Sequence, residues 1–421
     1  MKSPSLRKAR PTRRDRRVEV LEEAAKALNA RGVSQAALTE IARGLGVSRP
    51  ALYYYFEDQE DLVFQSYVRS CEILSRQFSN AVKAGGDAMD VIEAFIGGML
   101  DEDANEAAAL CEVAYLRPEQ REIVRGFYDA ILSDIADLLT LGAGRGELRE
   151  CSTRIVGHAI IGLVSTIALA KRRWWANVPV SGQVSYRDLV AALKSMLTVG
   201  VAADRGAPVS YKPFDLPSRH LPVGGVFDTE ALAAAKLEAL LAAASWLFNL
   251  KGVDATSLDE IALKVGVTKR VIYHNIGDKE ALVAACYRRT FKFYKDIAER
   301  TKAYDGSRIE ALCASWHAHA DASLREDMAP LGPLMGYQAL SAKDLKSIQD
   351  EGSQRANYYL QFYAEGQAEG SIRPLNARAL LSIQLRMFRW LPKWIDPVDE
   401  AERQSVAREI TDLICLGLRP A

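Results

Sequence analysis

The strongest constraint on this chain is that one stretch of it occurs twice. An offset of 220 residues (Gly266 against Gly46) lays 18–69 on 238–289 without a gap. Identities run from Leu21/Leu241, Asn29/Asn249 and Gly32/Gly252 through Glu40-Ile41-Ala42/Glu260-Ile261-Ala262 and Gly46-Val47/Gly266-Val267. They continue with Tyr53/Tyr273, Asp58/Asp278, Leu62-Val63/Leu282-Val283 and Tyr67/Tyr287. Chance does not produce such a register, so the chain is a tandem of like units. Its 421 residues suit two to four domains.

Between the repeats, 204–229 holds Pro208, Pro213, Pro217 and Pro222 with Gly206, Gly224 and Gly225. That composition blocks regular helix and predicts a linker, which at ~3.3 Å per residue reaches on the order of 80 Å when extended. Elsewhere the apolar period is helical. Ile123, Val124, Phe127, Ile131, Ile135, Leu138 and Leu139 recur at three- and four-residue steps before a stop at Gly142, Gly144 and Gly146. No alternating strand run competes, so the expected class is all-α. A later feature also recurs, Gly146-Glu-Leu-Arg149 and Gly370-Ser-Ile-Arg373, each followed by a long apolar helix ending in Trp174-Trp175 or Trp394. The duplication therefore extends over whole domains. The expected division is a basic arm 1–17, a first helical head 18–68, a helical domain 69–203, the linker 204–229, a second head 230–288 and a second helical domain 289–421.

Within the first repeat Val18, Leu21, Ala25 and Leu28 form one apolar stripe, Gly32 ends it, and Leu38, Ile41, Ala42 and Leu45 form a second, shorter one. Gly46 permits a tight turn, Ser48 can cap a third helix, and that helix tolerates Pro50 in its first turn. This is helix-turn-helix grammar. The run Leu38-Thr-Glu-Ile-Ala-Arg-Gly-Leu-Gly-Val-Ser-Arg-Pro-Ala-Leu-Tyr-Tyr-Tyr-Phe56, with Asp58 and Leu62 behind it, resembles the DNA-binding domain of the tetracycline repressor (TetR) family. So does Leu258 to Ile276 with Asp278, Lys279, Glu280 and Leu282. The resemblance covers about fifty residues in each half. It implies two TetR-like units, each a three-helix helix-turn-helix domain followed by a helical bundle that forms a ligand pocket and a four-helix dimer interface.

Carried over residue by residue, the resemblance puts Ser48, Arg49, Pro50, Ala51 and Tyr54 on one recognition helix and Thr268, Lys269, Arg270, Val271 and His274 on the other. Arg49, Lys269 and Arg270 are candidates for guanine edges or phosphates, and the Tyr53 and Tyr273 hydroxyls can reach the DNA backbone. Lys279 stands where the family commonly has a phosphate-contacting lysine, and the first copy has Gln59 there. Upstream, 7–17 carries seven basic residues and one acidic, among them Arg13, Arg14, Arg16 and Arg17. A basic arm of this kind tracks phosphates or enters the minor groove. The second head has no such arm, and its approach segment 227–230 is acidic. Ser257 with Glu260 has capping-box spacing where the first copy has Ala37. In the other direction, Asn275-Ile276 replaces the Tyr55-Phe56 anchor, so the second head is expected to be a weaker or differently specific reader.

Lys plus Arg equals Asp plus Glu at 54 each, so any affinity for nucleic acid has to be local. Cys71, Cys111, Cys151, Cys286, Cys313 and Cys415 form no CxxC pair and fit reduced thiols in the cytoplasm. The most membrane-like stretch, 155–170, is too short to span and contains His158, Ser165 and Thr166. Phe95, Tyr128, His158 and Trp174 in the first half and Trp316, His317, Tyr337, Trp390 and Trp394 in the second are candidates to line a pocket for a small, apolar effector. His317 and His319 point ~200° apart on a helix, leaving two ligands with Asp321, so no metal site is expected. No cofactor is implied, and no P-loop, nucleophile elbow, dinucleotide fingerprint or HExxH supports an enzyme. The resulting expectation is a ligand-responsive regulator, a repressor by the family's usual direction. Its two C-terminal halves would pack as a pseudo-dimer inside one chain and place two heads on an imperfect palindrome in double-stranded DNA. A homodimer with four heads and a helical ligand-binding protein whose second head has lost DNA are the alternatives.

Overall fold

A computed structural model describes residues 13–33, 35–171, 184–218, 229–332, 340–396 and 399–421. Helices α1 (Arg13–Arg31), α2 (Gln35–Gly44) and α3 (Arg49–Leu52) form the first head, and α4 (Gln59–Ala84) joins it to α5 (Ala88–Leu100), α6 (Pro118–Gly144), α7 (Thr153–Ile167) and α8 (Tyr186–Val199). The second half repeats this order. Its head is α9 (Thr229–Lys251), α10 (Leu258–Val265) and α11 (Lys269–Asn275). The body behind it is α12 (Lys279–Lys302), α13 (Arg308–Ser323), α14 (Ala342–Glu369), α15 (Ala377–Trp394) and α16 (Glu400–Leu416). Among the described residues there is no strand, only an isolated bridge between Ala202 and Ile372. The repeated aspartates cap the linking helices alike: Asp58 accepts from Asp61 N at 2.7 Å and Asp278 from Ala281 N at 2.8 Å.

Each head has a small apolar core of its own, whereas one continuous core runs through both bodies. At its centre α7, α8, α15 and α16, the last two helices of each half, pack into a four-helix bundle. α7 faces α15 and has no exposed residue from Ile155 to Ile167. The ends of this bundle are joined reciprocally. Arg149 donates its backbone N–H to Leu418 O at 2.8 Å and its Nε to Gly417 O at 2.6 Å. Arg373, its repeat counterpart, donates its backbone N–H to Val201 O at 3.1 Å and its Nε to Gly200 O at 2.6 Å. Each half's recurring Gly-x-x-Arg segment thus grips the chain just past the last helix of the other. Gly200 (φ 62°) and Gly417 (φ 67°) face one another so closely that a Cβ on Gly200 would strike Cys415 O and one on Gly417 would lie 2.6 Å from Gly200 N.

Three expectations change. α1 begins at Arg13, so the end of the basic arm is helix: Arg16 pairs with Glu19 at 3.0 Å, and the Arg17 guanidinium sits 5.8 Å over the Phe56 ring. Arg and Glu are strong helix formers, and the i,i+3 ion pair adds to this. Residues 1–12 lie outside the described residues, as do the side chains of Arg13 and Arg14. Second, 204–218 avoids helix but does not span open space. It is strapped to the second body by Tyr211, whose hydroxyl is 2.9 Å from His317 Nδ1, by Lys212 N donating to the Tyr304 hydroxyl at 2.7 Å, and by Arg325 donating to Leu216 O at 2.7 Å. Third, among the described residues the helix long and apolar enough to cross a membrane by composition is Glu230–Lys251 rather than 155–170, and it packs on α10 and α12 as the first helix of the second head.

The joint predicts unequal costs for like substitutions. Gly46→Ala meets a positive φ of 64° but open space and loses ~1 kcal/mol. Gly200→Ala and Gly417→Ala add a clash with backbone and each lose about 3 kcal/mol or more in urea unfolding. Equal losses at all three sites would remove the joint from its structural role.

Candidate DNA-binding site and its attachment to the body

The two heads build the same turn from the same residues. Gly46 (φ 64°) and Gly266 (φ 74°) reverse the chain, and Val47 N and Val267 N donate to Ala42 O and Ala262 O, each at 2.9 Å. Leu52 and Ile272 bury the inner side of α3 and α11. The outer side carries Ser48, Arg49, Pro50, Tyr53 and Tyr54 in one head and Thr268, Arg270, Tyr273 and His274 in the other, all exposed, with Ala51, Lys269 and Val271 half-buried beside them. Both helix-capping hydroxyls, Ser48 and Thr268, make no cap hydrogen bond, contrary to expectation for Ser48. Their outward placement suits a phosphate acceptor.

The heads differ in how their cations are held. Lys269 Nζ lies 3.0 Å from Asp259 of its own head. Lys279 is half-buried, donates to Asp254 O at 3.5 Å, and burial holds its amine below its ordinary pKa. Ser257 accepts from Glu260 N at 3.1 Å, but the Glu260 carboxylate goes to Lys251 at 2.7 Å, so only half of the capping box forms. In the first head Phe56 is buried beneath α3, while Ile276 is only half-buried at the same place.

In each half four side chains at matching positions, whose role the sequence does not reveal, gather one loop of the body: one from the first helix of the head and three from the linking helix α4 or α12. Asn29 donates to Ala107 O at 2.9 Å and accepts from Ala109 N at 2.8 Å, as Asn249 donates to Pro330 O at 3.0 Å and accepts from Gly332 N at 2.9 Å. Arg69 donates to Glu106 O at 2.8 Å and Arg289 to Met328 O at 2.5 Å. Ser70 accepts from Ala108 N and Thr290 from Leu331 N, while the Tyr67 and Tyr287 hydroxyls meet Glu112 N and Gly332 O. Their recurrence at the 220-residue offset was the available signal.

One contact has no such counterpart among the described residues. Glu112 of the first body is buried between the two heads: it accepts from Val33 N at 2.8 Å, and it packs against both Gly32 and Gly252, the equivalent ends of α1 and α9. Lys393 of the second body, buried, donates to Cys111 O at 2.5 Å and also to Asn249 O. Burial pushes the Glu112 carboxyl up to about 7 and holds the Lys393 amine below its ordinary value. No periodicity marks either residue.

The expected pocket residues do not meet in one cavity. Phe95 packs edge-on against Phe78, and Tyr128 hydrogen-bonds His158 at 2.8 Å under Trp394, stacked 3.7 Å away. Trp316 and Trp390 are buried in the core, His317 lines a polar cleft with Asp321 and Arg403, and Trp174 and Tyr337 lie outside the described residues. Aromatics at helical spacing filled the core instead. A cavity with a largely apolar wall lies in the second body between α12, α14 and α15 and abuts Asn249 and Leu331-Gly332, where the second head meets the body.

Two outward recognition helices on duplicated helix-turn-helix heads, borne on a helical body, define a DNA-binding regulator. Bacterial regulatory proteins of the tetR family match residues 20–65 and again 240–286, and the tetracyclin repressor-like C-terminal domain matches 305–418. The HTH-type transcriptional repressor KstR2 of Mycobacterium tuberculosis (strain ATCC 25618 / H37Rv) is 25% identical over 188 residues, 42% of this chain and 90% of the relative. The HTH-type transcriptional regulator EthR of Mycolicibacterium smegmatis is 28% identical over 145 residues, 33% and 66% of the two chains. The transposon Tn10 TetC protein of Escherichia coli is 42% identical over 52 residues, 12% and 26%. A solved structure of KstR2 from M. tuberculosis has 19% identity and a TM-score of 0.37, covering 44% of this chain and 96% of that one. The chain belongs to the tetracycline repressor family and carries its DNA-binding module twice. It is a transcriptional regulator.

A carboxyl whose folded pKa is raised favours the fold below its unfolded value and loses that contribution as pH rises through about 7. Lys393→Met strips one of the two cations, with Arg389, that favour a charged Glu112, so it costs roughly 3 kcal/mol at pH 8 and clearly less at pH 6, where Glu112 takes a proton. Thermal unfolding at the two pH values checks this. A loss independent of pH would separate Lys393 from Glu112.

Proposed function

We propose that one chain acts as a complete ligand-responsive repressor, a pseudo-dimer whose two heads read two unlike half-sites of an imperfect palindrome in double-stranded DNA. The observation that carries the reading is the four-helix bundle of α7, α8, α15 and α16 with its reciprocal Arg149 and Arg373 grips, an interface complete within one chain. Half-sites in successive major grooves lie about 34 Å apart, and a fixed body is what holds two heads to such a spacing. A small, largely apolar effector in the body would bias the separation of the heads and release DNA in the cytoplasm.

Arg49 and Pro50 cannot read the bases that Lys269 and Arg270 read, so the half-sites differ. The Lys269–Asp259 pair favours a second reading, in which the second head contributes little or nothing to affinity. With an operator selected from random duplexes, Arg49→Ala weakens binding about tenfold or more and relaxes preference in one half-site only. Lys269→Ala weakens binding and relaxes preference in the other half-site only. Preference relaxed in both half-sites by either substitution would contradict the single-chain reading. An operator with one half-site, insensitive to Lys269→Ala, would establish the second.

A further inference from the structure

The two bodies can be compared position by position, because α6 and α14, α7 and α15, and Gly146 and Gly370 all stand 224 residues apart (Gly370 against Gly146). The cavity of the second body has a smaller counterpart in the first, where Ser165 and Ala168 stand 224 residues before Arg389 and Pro392, and Leu74 and Met99 stand 220 before Tyr294 and His319. The difference is written in three residues. Gly352 stands where the first body has the large, buried side chain of Tyr128, which stacks on Trp394. Arg355 stands where the first body has the buried Ile131, and Arg389 where it has Ser165.

Both arginines line the enlarged cavity, no Asp or Glu lines it with them, and neither forms an ion pair among the described residues. Arg355 lies 4.2 Å over the Tyr294 ring, Arg389 packs on Gly332, and the Nε of each is buried without a hydrogen-bond partner among the described residues. Buried donors of this kind are costly unless something accepts from them. The third basic side chain in the wall, His319, is held neutral by burial, its pKa brought down to about 3, and is already bonded to the Tyr359 hydroxyl at 2.8 Å. Phe291, Ile348, Leu385 and Phe388 give the wall a large apolar share, with Asn249, Thr290 and Ser323 among its neutral polar side chains.

We propose that the second body alone binds the effector, one per chain, and that this effector is a carboxylate on an apolar body, its anion received by Arg355 and Arg389. The chain has thus divided its duplicated cavities: Tyr128 closes one as core, and Gly352 with two guanidinium groups opens the other as a site. Because Asn249 and Gly332 form part of its wall, the occupant bears directly on the fastening of the second head. This deepens the ligand-responsive reading above and rests on it.

Calorimetry of the full chain with octanoate, decanoate and dodecanoate, each against the alcohol of the same length, tests the assignment. Expected are one site per chain, carboxylate preferred over alcohol by about tenfold or more, and that preference lost in Arg389→Gln and Arg355→Gln but kept in Arg389→Lys. Gly352→Tyr, which restores the packing of the first body, abolishes binding while circular dichroism reports an unchanged fold. Two sites per chain, equal binding of acid and alcohol, no binding by any of the six probes, or full binding in Gly352→Tyr would each overturn the proposal. Operator affinity measured on the same samples separates the two claims. Carboxylate binding that leaves operator affinity unchanged contradicts ligand response while the anion site stands.

Discussion

Two backbone turns that lie against each other hold this protein in register. The chain leaves α8 at Gly200 and α16 at Gly417, both in the left-handed region, and each turn is gripped by an arginine of the opposite half through one main-chain and one guanidinium hydrogen bond. An interface that is isologous between two copies has each residue contacting its partner's equivalent. Here that relation survives inside a single chain, between residues that are related but no longer identical. The packing of α7 on α15 and of α8 on α16 accompanies it.

Covalent linkage also permits what a symmetric dimer does not, which is divergence of the two halves. A single Glu112 serves both head ends, against Gly32 and Gly252, and a single Lys393 reaches the backbone of the first body and of the second head. Two such groups related by symmetry would crowd one dyad. The Arg31–Glu40 pair of the first head recurs as Lys251–Glu260 in the second, but elsewhere the heads have drifted: the first keeps Phe56 buried and an Arg-rich start to α1, and the second pairs Lys269 with its own Asp259. Such self-pairing leaves less charge for phosphates.

Much of this was legible before any coordinates. The repeat offset, the glycine turns, the helical periods and the tetR-like heads follow from local pattern, and local pattern dictates helices and turns. The recurring Gly-x-x-Arg segments were visible as a repeat, though not as a joint, because their partners lie about two hundred residues away in sequence. Aromatic residues misled for the pocket, since Phe95, Tyr128 and Trp390 serve core packing as well as they would a ligand. Arg355 and Arg389, by contrast, look like ordinary surface cations of amphipathic helices until the fold turns them inward. Composition was equally silent about the strap at 204–218: proline content excludes helix there, but whether an extended segment docks is decided by Tyr211 and its hydrogen bond to His317.

The central claim is that one chain holds an entire two-headed regulator. Light-scattering mass of the purified protein, alone and on a duplex carrying its selected operator, tests it most directly. The account predicts one chain in solution and one chain per duplex. Two chains per duplex, joined through surfaces other than α7, α8, α15 and α16, would contradict it.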